Sequence, residues 1–595
     1  MARADLTRGS ETRRAPPAIA RAPLLWLVLP LMAGIASGQW AGPVVPTWIP
    51  ILCAFGLITL AVWCLYSKSR DSLALALVGA GMVLFGFGWL WERSPPALDA
   101  WRELPPREVA VELRVDRLQP RDDPYGRVSG RATIVGVPEH LEDLRDQPLQ
   151  FLLTPRVDVT GIQPGSRIAS RGQLDYLPAR IPKRIRALDT DDSEVDKATL
   201  RSWLDYDRYL VRSGVRFSLS RGYVEERVNA PPAWRLATAR WAQAIDRQLH
   251  LGTHDERTRR LADLSAAMAL GRKDRLSLEQ RAQFSATGVM HLFAISGLHV
   301  GIVAVLVFFA LRLLLSRLFA RRVRLGRLTE FLCGSGILLV YVAVTGFPPS
   351  AVRAWLMVSA FWSSRVVRRR GAPMAALSAS ALLVLIWEPR QLFDLGFQLS
   401  YAVVAGILLY GAPLAESANR RWTLWADLPN DDLGRVRRWL RGLRDGSVQL
   451  LAISLAALCL SAPLTVGAFN ILAPMGLLLN LLLVPLAGVA LTGALLSTGF
   501  GLASLAGVGA FINHGTWLIL WLMEGVVQSV QGLPASAFIL QWRAAWLSEA
   551  VLVVLLGLLL YRPFPSQAKT FPWTSAALLP GVLITCLLLG SVGAD

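Results

Sequence analysis

The segment from Gly288 to Gly301 reads GVMHLFAISGLHVG and stands at the start of a long apolar run. It places two histidines, a serine and three glycines in a stretch that otherwise has the composition of a membrane-spanning helix. Polar and titratable side chains at membrane depth are costly unless they face protein or water. The cluster therefore predicts a functional site inside a membrane protein.

Serine and histidine side chains can support nucleophilic catalysis or metal binding. Ser296 and His299 are three positions apart, so on a helix they would be neighbours and could act as nucleophile and base. A shared metal is not expected at His291 and His299, because eight helical residues span about 12 Å. The HLGTH segment at 250–254 has HxxxH spacing, but its glycine and threonine disfavour a helix.

No cofactor is predicted from the remaining motifs. The five cysteines form no CxxC pair, so neither a zinc ribbon nor a disulfide framework is indicated. The chain also has no GxxxxGK[ST] motif, so any driving force for transport must come from a partner or an ion gradient.

Further polar residues and prolines interrupt the apolar segments that follow. Singly, each could be a helix cap or a helix-packing group. Together they cluster at four broken segments, which favours a shared water-lined interior. The residues that we expect to line it are His291, Ser296, Gly297, His299, Pro348, Pro349, Arg353, Asp394, Gln398 and Asn480. Arg353 has three open roles: snorkelling to the interface, pairing with Asp394, or offering a fixed guanidinium to a phosphate.

The composition defines the architecture that must position these residues. The chain has 595 residues, 53% of them hydrophobic, and many apolar stretches of membrane-spanning length. We expect a polytopic α-helical membrane protein of about 13 spans. The net charge of +19 comes largely from arginine clusters in alternate loops, so the positive-inside rule explains it without nucleic acid. That rule also predicts a cytoplasmic N-terminus and an extracytoplasmic C-terminus.

We divide the chain into four regions. Residues 1–91 form a membrane block of three spans, and residues 92–230 form an extracytoplasmic domain of short strands with turns. This β-rich domain fits an OB-like barrel, although an unrelated β-sandwich fits nearly as well. Residues 231–288 predict amphipathic helices lying on the outer membrane boundary, and residues 289–595 form the second membrane block.

The segment HLFAISGLHVGIV resembles the ComEC family, the inner-membrane channels for DNA uptake in natural transformation. Further segments agree in order: GFPPSAVRAWLM at 346–357, LFDLGFQLSYAVVAGIL at 392–408, and APLTVGAFNILAPMGLLLNLLLVPLAG at 462–488. LDYDRYL at 204–210 looks like a further family element in the β-rich domain. The resemblance implies a non-enzymatic bacterial inner-membrane channel for single-stranded DNA. It also implies a periplasmic DNA receptor and a cytoplasmic helicase-like motor as partners.

One departure from the family pattern concerns nuclease activity. Many relatives continue into a metallo-β-lactamase-like domain with an HxHxDH signature, and none of the six histidines here forms that motif. We therefore expect no such domain in this sequence and carry over no nuclease activity.

OB-like barrels commonly bind single strands by stacking bases on aromatic side chains. The aromatic residues available for this are Tyr125, Phe151, Tyr176, Trp203 and Tyr206, with core packing as the competing role for each. Two other functions stay open. One is a permease for a smaller anionic solute, with Asp394 or Glu524 relaying protons. The other is an intramembrane hydrolase using Ser296 and His299.

Overall fold

A computed structural model provides the fold of the chain. It describes residues 23–42, 45–66, 71–94, 98–119, 127–156, 162–189, 203–204, 206–208, 210–211, 213–272, 275–318, 323–366, 372–422, 434–531, 533, 537–544, 546–561 and 573–593. The expected cytoplasmic N-terminus and aromatic residue Tyr125 lie outside these residues.

Most of the described chain is helical, because apolar segments in a bilayer must satisfy their backbone hydrogen bonds internally. The helices before Gly288 are α1 (Leu25–Ala41), α2 (Trp48–Tyr66), α3 (Asp71–Glu92), α4 (Leu177–Asp189), α5 (Ala233–Leu249), α6 (Glu256–Leu270) and α7 (Leu278–Ala286). Those after it are α8 (Gly297–Leu318), α9 (Val323–Val344), α10 (Pro349–Val366), α11 (Pro373–Trp387), α12 (Leu395–Gly406), α13 (Ala412–Arg421), α14 (Arg435–Phe469), α15 (Gly476–Leu502), α16 (Ala506–Gln531), α17 (Leu547–Tyr561) and α18 (Trp573–Gly590).

Eight helical segments within the described residues are long and apolar enough to cross a membrane. They are Trp48–Leu65, Ser72–Glu92, Met290–Leu314, Arg327–Val344, Leu395–Arg421, Arg435–Phe469, Gly476–Leu502 and Ala506–Val530. Shorter apolar helices are Leu25–Ala41, Pro373–Trp387, Leu547–Leu560 and Ala577–Gly590. The chain is therefore a polytopic helical membrane protein, as its composition predicted.

The domain between α3 and α5 is a small β-barrel. Its strands are β1 (Arg107–Gln119), β2 (Val128–Gly136), β3 (Pro148–Pro155), β4 (Arg167–Tyr176) and β5 (Phe217–Asn229). They close in the order β1-β2-β3-β5-β4, with β3 and β5 parallel and the other pairs antiparallel. Alternate side chains point inward and are fully buried, including Leu113, Ile134, Phe151 and Phe217. Closure leaves no exposed strand edge.

The barrel contacts the helical block through Arg390, in the loop before α12. Its Nε donates to Ser94 Oγ at 3.3 Å, and its guanidinium lies against Gly214, just before β5. Burial, and to a lesser degree neighbouring Arg216, lower the pKa of Arg390 to about 10, and Glu388 opposes the shift. The barrel therefore sits at the end of the block where α12 begins.

Helix α6 differs from the expectation that residues 231–288 lie on the membrane surface. Nearly all of α6 from Leu261 to Leu270 is buried, in one core with α15 and α16. Asp255 begins α6 with a capping box with Thr258, and Gly271 ends the helix in a left-handed conformation. The amphipathic pattern predicted the helices correctly, but for α6 the surface position is wrong because its apolar face packs on other helices.

A short sheet joins three connections of the second block. The strands β6 (Ile471–Leu472), β7 (Phe538–Trp542) and β8 (Ser591–Gly593) pair antiparallel in that order. They follow α14, α16 and α18, so the C-terminal ends of these three helices lie at the same end of the block.

Candidate functional site

Three helices of the second block begin in direct contact. Ser350, in the first turn of α10, donates from Oγ to the carbonyl of Ile295 at 2.7 Å, just before α8. Arg353, one turn further along α10, donates from Nη2 to the carbonyl of Gly396 at 2.8 Å, in the first turn of α12. The beginnings of α8, α10 and α12 thus form one junction, held by two side chains of α10.

The start of α15 lies beside the segment that leads into this junction. Gly288 has a φ of +75°, and a Cβ placed there would lie 3.0 Å from Ala473 Cβ. A Cβ on Gly476 would lie 3.5 Å from the carbonyl of Thr287. Glycine is required at 288 because it adopts the left-handed conformation without strain and allows this close approach.

The helix starts at this junction together favour negatively charged groups, an effect of several helices rather than of one residue. The first turn of each helix presents unpaired backbone N–H groups, and the helix dipole adds a partial positive charge there. Several helices beginning together create a site that favours anions. We call the beginnings of α8, α10, α12 and α15 the N-terminal junction.

Arg353 places a full positive charge in the N-terminal junction. The residue is 4% exposed, and apart from the bond to Gly396 its Nε and Nη1 are buried without a hydrogen-bond partner among the described residues. Asp394 and Tyr401 are within electrostatic reach. Burial rules out snorkelling to the interface, one of the three roles considered from the sequence. The two unpaired guanidinium nitrogens keep donor capacity for a further acceptor.

Asp394 and Gln398 have local roles at the start of α12. Asp394 accepts a hydrogen bond from the backbone N–H of Phe397 at 3.0 Å, which makes it the N-cap. Gln398 donates from Nε2 to the carbonyl of Leu392 at 3.0 Å. Both side chains are half-buried and fix the loop that Arg353 contacts.

Ser296 and His299 are hydrogen-bonded, as their spacing predicted. Ser296 Oγ lies 3.0 Å from His299 Nδ1, and the Ser296 backbone N–H donates to the same nitrogen at 3.3 Å. His299 is only 2% exposed. A backbone N–H that donates to the side chain three residues later is one of the two bonds of a capping box, here with histidine in place of glutamate. This bond orients His299 at the start of α8.

The other predicted residues lie around the same junction, except that Asn480 is one turn into α15. His291 is exposed on a short 3-10 helix (Met290–Leu292), with Nδ1 3.0 Å from the carbonyl of Gly288. Gly297 is the exposed first residue of α8, and Pro348 and Pro349 lead into α10. Asn480 is half-buried, and its Oδ1 has no partner within the described part of the chain.

Two of the aromatic residues predicted to stack bases have another role. Phe151 is 0% exposed and Tyr176 is 5% exposed, and Tyr176 packs on Phe217 at 5.3 Å between ring centroids. Both belong to the barrel core, so the stacking prediction is wrong for them. Inward-pointing positions of a small closed barrel are filled by side chains.

The two remaining described aromatic residues are exposed in the connection between β4 and β5. Trp203 is 45% exposed and Tyr206 is 42% exposed. Arg184 of α4 lies 5.3 Å from the Trp203 ring centroid and pairs with Asp207 at 3.2 Å. Burial raises the pKa of Asp207, and Arg184 and Arg180 oppose that shift. This ion pair holds the connection against α4.

Sequence reasoning missed Ser350 as the link between α8 and α10, although PPS at a helix start is a recognisable cap signal. It also missed the partners of Glu524 on α16. Glu524 forms an ion pair with Arg260 and accepts a hydrogen bond from Gln280 Nε2 at 3.0 Å. These partners come from distant segments that no local pattern connects.

Comparison with known proteins identifies the family. The family model described as "Competence protein" matches residues 268–565, which include the whole N-terminal junction. The chain is 29% identical to ComE operon protein 3 of Bacillus subtilis (strain 168) over 41% of its own length and 30% of that protein. It is 30% identical to competence protein ComA of Neisseria gonorrhoeae over 29% of its own length and 25% of that protein.

Each match spans less than a third of the curated relative. No solved structure matches the chain significantly. The family match covers half of the chain, and the segments that resembled the ComEC family lie inside it, apart from LDYDRYL in the barrel domain. The chain therefore belongs to the ComEC family of competence proteins.

Proposed function

We propose that this protein is a non-enzymatic inner-membrane channel that passes single-stranded DNA into the cytoplasm during natural transformation. The observation that carries the proposal is the N-terminal junction with the buried, partly unpaired guanidinium of Arg353. A transported strand carries a negative charge on every nucleotide, so its path must favour anions. Convergent helix N-termini and the fixed cation of Arg353 favour anions there, although Asp394 also lies at the start of α12.

The proposed topology has 13 spans. They are the eight long apolar segments, the four shorter apolar helices, and α10, which contacts both α8 and α12. Arginine-rich loops then face the cytoplasm, and the barrel and the N-terminal junction face the periplasm. DNA would meet the positive ends of the helices first.

The barrel is the proposed periplasmic contact for DNA. Its five-stranded closure, strand order and parallel β3–β5 pair support an OB-like fold. Such barrels use the β4–β5 connection for oligonucleotides, and here that connection carries exposed Trp203 and Tyr206 beside Arg184. A periplasmic DNA receptor and a cytoplasmic helicase-like motor complete the proposed machinery.

Uptake of labelled DNA tests the proposal. Competent cells, a deletion of this gene, and the deletion complemented with residues 1–595 are compared for DNA that reaches a DNase-protected cytoplasmic pool. We expect the deletion to abolish protected DNA and the complementation to restore it. Unchanged uptake in the competent deletion strain would refute the channel and favour the solute permease.

Ser296→Ala separates the channel from an intramembrane hydrolase. The Ser296 hydroxyl contacts His299, and one hydrogen bond contributes about 1 kcal/mol, so we expect near-normal protected uptake with slightly lower thermal stability of the purified protein. His299→Ala removes the other partner of the same contact, and the hydrolase predicts the same loss for it. A complete loss of uptake in Ser296→Ala at normal protein level would support the hydrolase.

Glu524→Gln separates the channel from a proton-coupled permease. Glutamine keeps the hydrogen bond with Gln280 but cannot carry a proton. We expect uptake within about twofold of wild type, because Arg260 is 52% exposed and stays solvated without the ion pair. Asp394→Asn, which keeps a capping group, is the control at the second candidate relay. Loss of uptake in both variants with normal protein levels would contradict a channel without proton coupling.

A further inference from the structure

Helix α5 runs through the depth of the helical block. Near its start, Trp234 packs against Phe347, just before α10, with ring centroids 5.8 Å apart. Near its end, the Gln248 side chain lies against Gly501, the second-last residue of α15, and Asn513 Nδ2 of α16 donates to the carbonyls of Gln248 and Leu251. Since α15 begins at the N-terminal junction, α5 leads from that junction toward the opposite end of the block.

The length of α5 agrees with these contacts. Its 17 residues correspond to about 25 Å, close to the ~30 Å of a bilayer core. The chain then returns through α6, whose Ala269 carbonyl accepts a hydrogen bond from Tyr341 near the end of α9 at 3.1 Å. Residues 233–270 therefore form a re-entrant hairpin.

One exposed face of α5 is basic. Arg240 and Arg247 are exposed, and their spacing of seven residues places both on the same side of the helix with Gln243. Neither arginine forms an ion pair within the described part of the chain. They lie about 10 and 20 Å below the start of the helix. Arg247 lies in the last turn of α5, whereas Arg240 lies near the middle of the helix. An unpaired charge at the depth of Arg240 is costly if it faces lipid, so water on this face is favoured.

The exposed tryptophans of α5 lie on a different side. Trp234 and Trp241 are 49% and 58% exposed, again seven residues apart, and each is about 120° around the helix from the arginine face. Tryptophan is enriched at membrane–water interfaces, whereas an arginine side chain that faces lipid is energetically costly. The helix therefore separates an aromatic side from a basic side.

Buried polar atoms around the hairpin also require hydration. Several side-chain atoms on α5, α6, α7 and α16 are buried without a hydrogen-bond partner among the described residues: those of Asp246, Gln248, Ser265, Arg281, Gln283, Asn513 and Trp517. Buried polar groups in native proteins are paired with protein or with ordered water. Their concentration here supports water along the hairpin.

We propose that the basic face of α5 lines a water-filled groove that continues from the N-terminal junction, and that Arg240 and Arg247 contact the phosphates of the passing strand. The phosphate contact rests on the proposed function; the groove itself does not. Two exposed guanidinium groups about 10 Å apart along the helix suit a flexible polyanion, which they can engage at two points along its backbone. Arg353 would then receive the strand at the entrance, and α5 would guide it through the block.

Cysteine accessibility tests the groove without any DNA. In a full-length background with the five native cysteines replaced, single substitutions Arg240→Cys and Arg247→Cys are labelled in intact cells with a charged, membrane-impermeant maleimide. Ala262→Cys, buried in α6, and Phe309→Cys, exposed on the apolar face of α8, are the controls. We expect both arginine positions to label at least about tenfold faster than either control, because thiolates react only where water reaches.

The phosphate contact is tested by charge. Arg240→Glu/Arg247→Glu is expected to lower protected DNA uptake about tenfold or more, and Arg240→Lys/Arg247→Lys to stay within about threefold of wild type. Labelling no faster than Phe309→Cys would overturn the groove. Normal uptake in the double glutamate variant would overturn the phosphate contact. Loss of DNA uptake on deletion of the gene tests the proposed function separately, so the two failures are distinguishable.

Discussion

Replacing Arg353 with alanine is expected to lower DNase-protected DNA uptake by about a hundredfold at unchanged protein level. The two unpaired nitrogens of this buried guanidinium can each donate to a phosphate oxygen. Hydrogen bonds to charged groups contribute about 1.5–3 kcal/mol each, and each 1.4 kcal/mol is a factor of ten. The measurement is radiolabelled DNA in the protected pool, with membrane levels of the variant followed by immunoblot.

Two further variants make this prediction specific. Arg353→Lys keeps the charge but loses the planar fork, so we expect an intermediate loss of uptake. Arg365→Ala removes an arginine from the other end of α10, where it pairs with Glu330 at 3.0 Å and is 38% exposed, and it should have little effect. If Arg353→Ala is normal in uptake, or if Arg365→Ala is equally defective, the junction is not an anion path.

Gly288→Ala is expected to give the second large effect. At a φ of +75° any L side chain is strained by about 1–2 kcal/mol, and the new methyl would meet Ala473 at 3.0 Å. The strain moves the start of α15 away from the segment that leads into α8. We expect a lower melting temperature of the purified protein and a several-fold loss of uptake.

Gly301 in the same sequence motif is the matched control. It lies inside α8, and a Cβ there has no neighbouring atom within 4 Å. Gly301→Ala should therefore leave the melting temperature unchanged or raise it, because alanine is the better helix former. Equal destabilisation by the two substitutions would contradict the assigned role of Gly288.

Composition and local sequence pattern predicted several elements of the fold. Apolar stretches of membrane length predicted the helices of both blocks, and alternating patterns broken by turns predicted a β-rich domain between them. The spacing of Ser296 and His299 allowed a hydrogen bond between them, and the structure shows it. It could not decide between a catalytic pair and a helix cap, because both need the same contact; the second bond, from the Ser296 backbone, is visible only in three dimensions.

The sequence did not predict which aromatic side chains of the barrel domain are buried in the core and which are exposed. Phe151 and Tyr176 fill the barrel core, whereas Trp203 and Tyr206 are exposed in the β4–β5 connection. All four are aromatic residues of one domain, and composition does not separate them. Strand closure decides which positions point inward. The same applies to α6, whose apolar face could cover either a membrane surface or other helices.

The sequence by itself determined the class of the protein, its helical membrane segments, its β-rich insertion and its ComEC-like motifs, because these depend on composition, periodicity and short-range order. Only the tertiary structure brought the starts of α8, α10 and α12 together through Ser350 and Arg353. Only it placed Arg240 and Arg247 on a helix that runs through the block. The contacts joining these elements link residues tens to hundreds of positions apart, and such pairings arise from packing of the whole chain rather than from any local pattern.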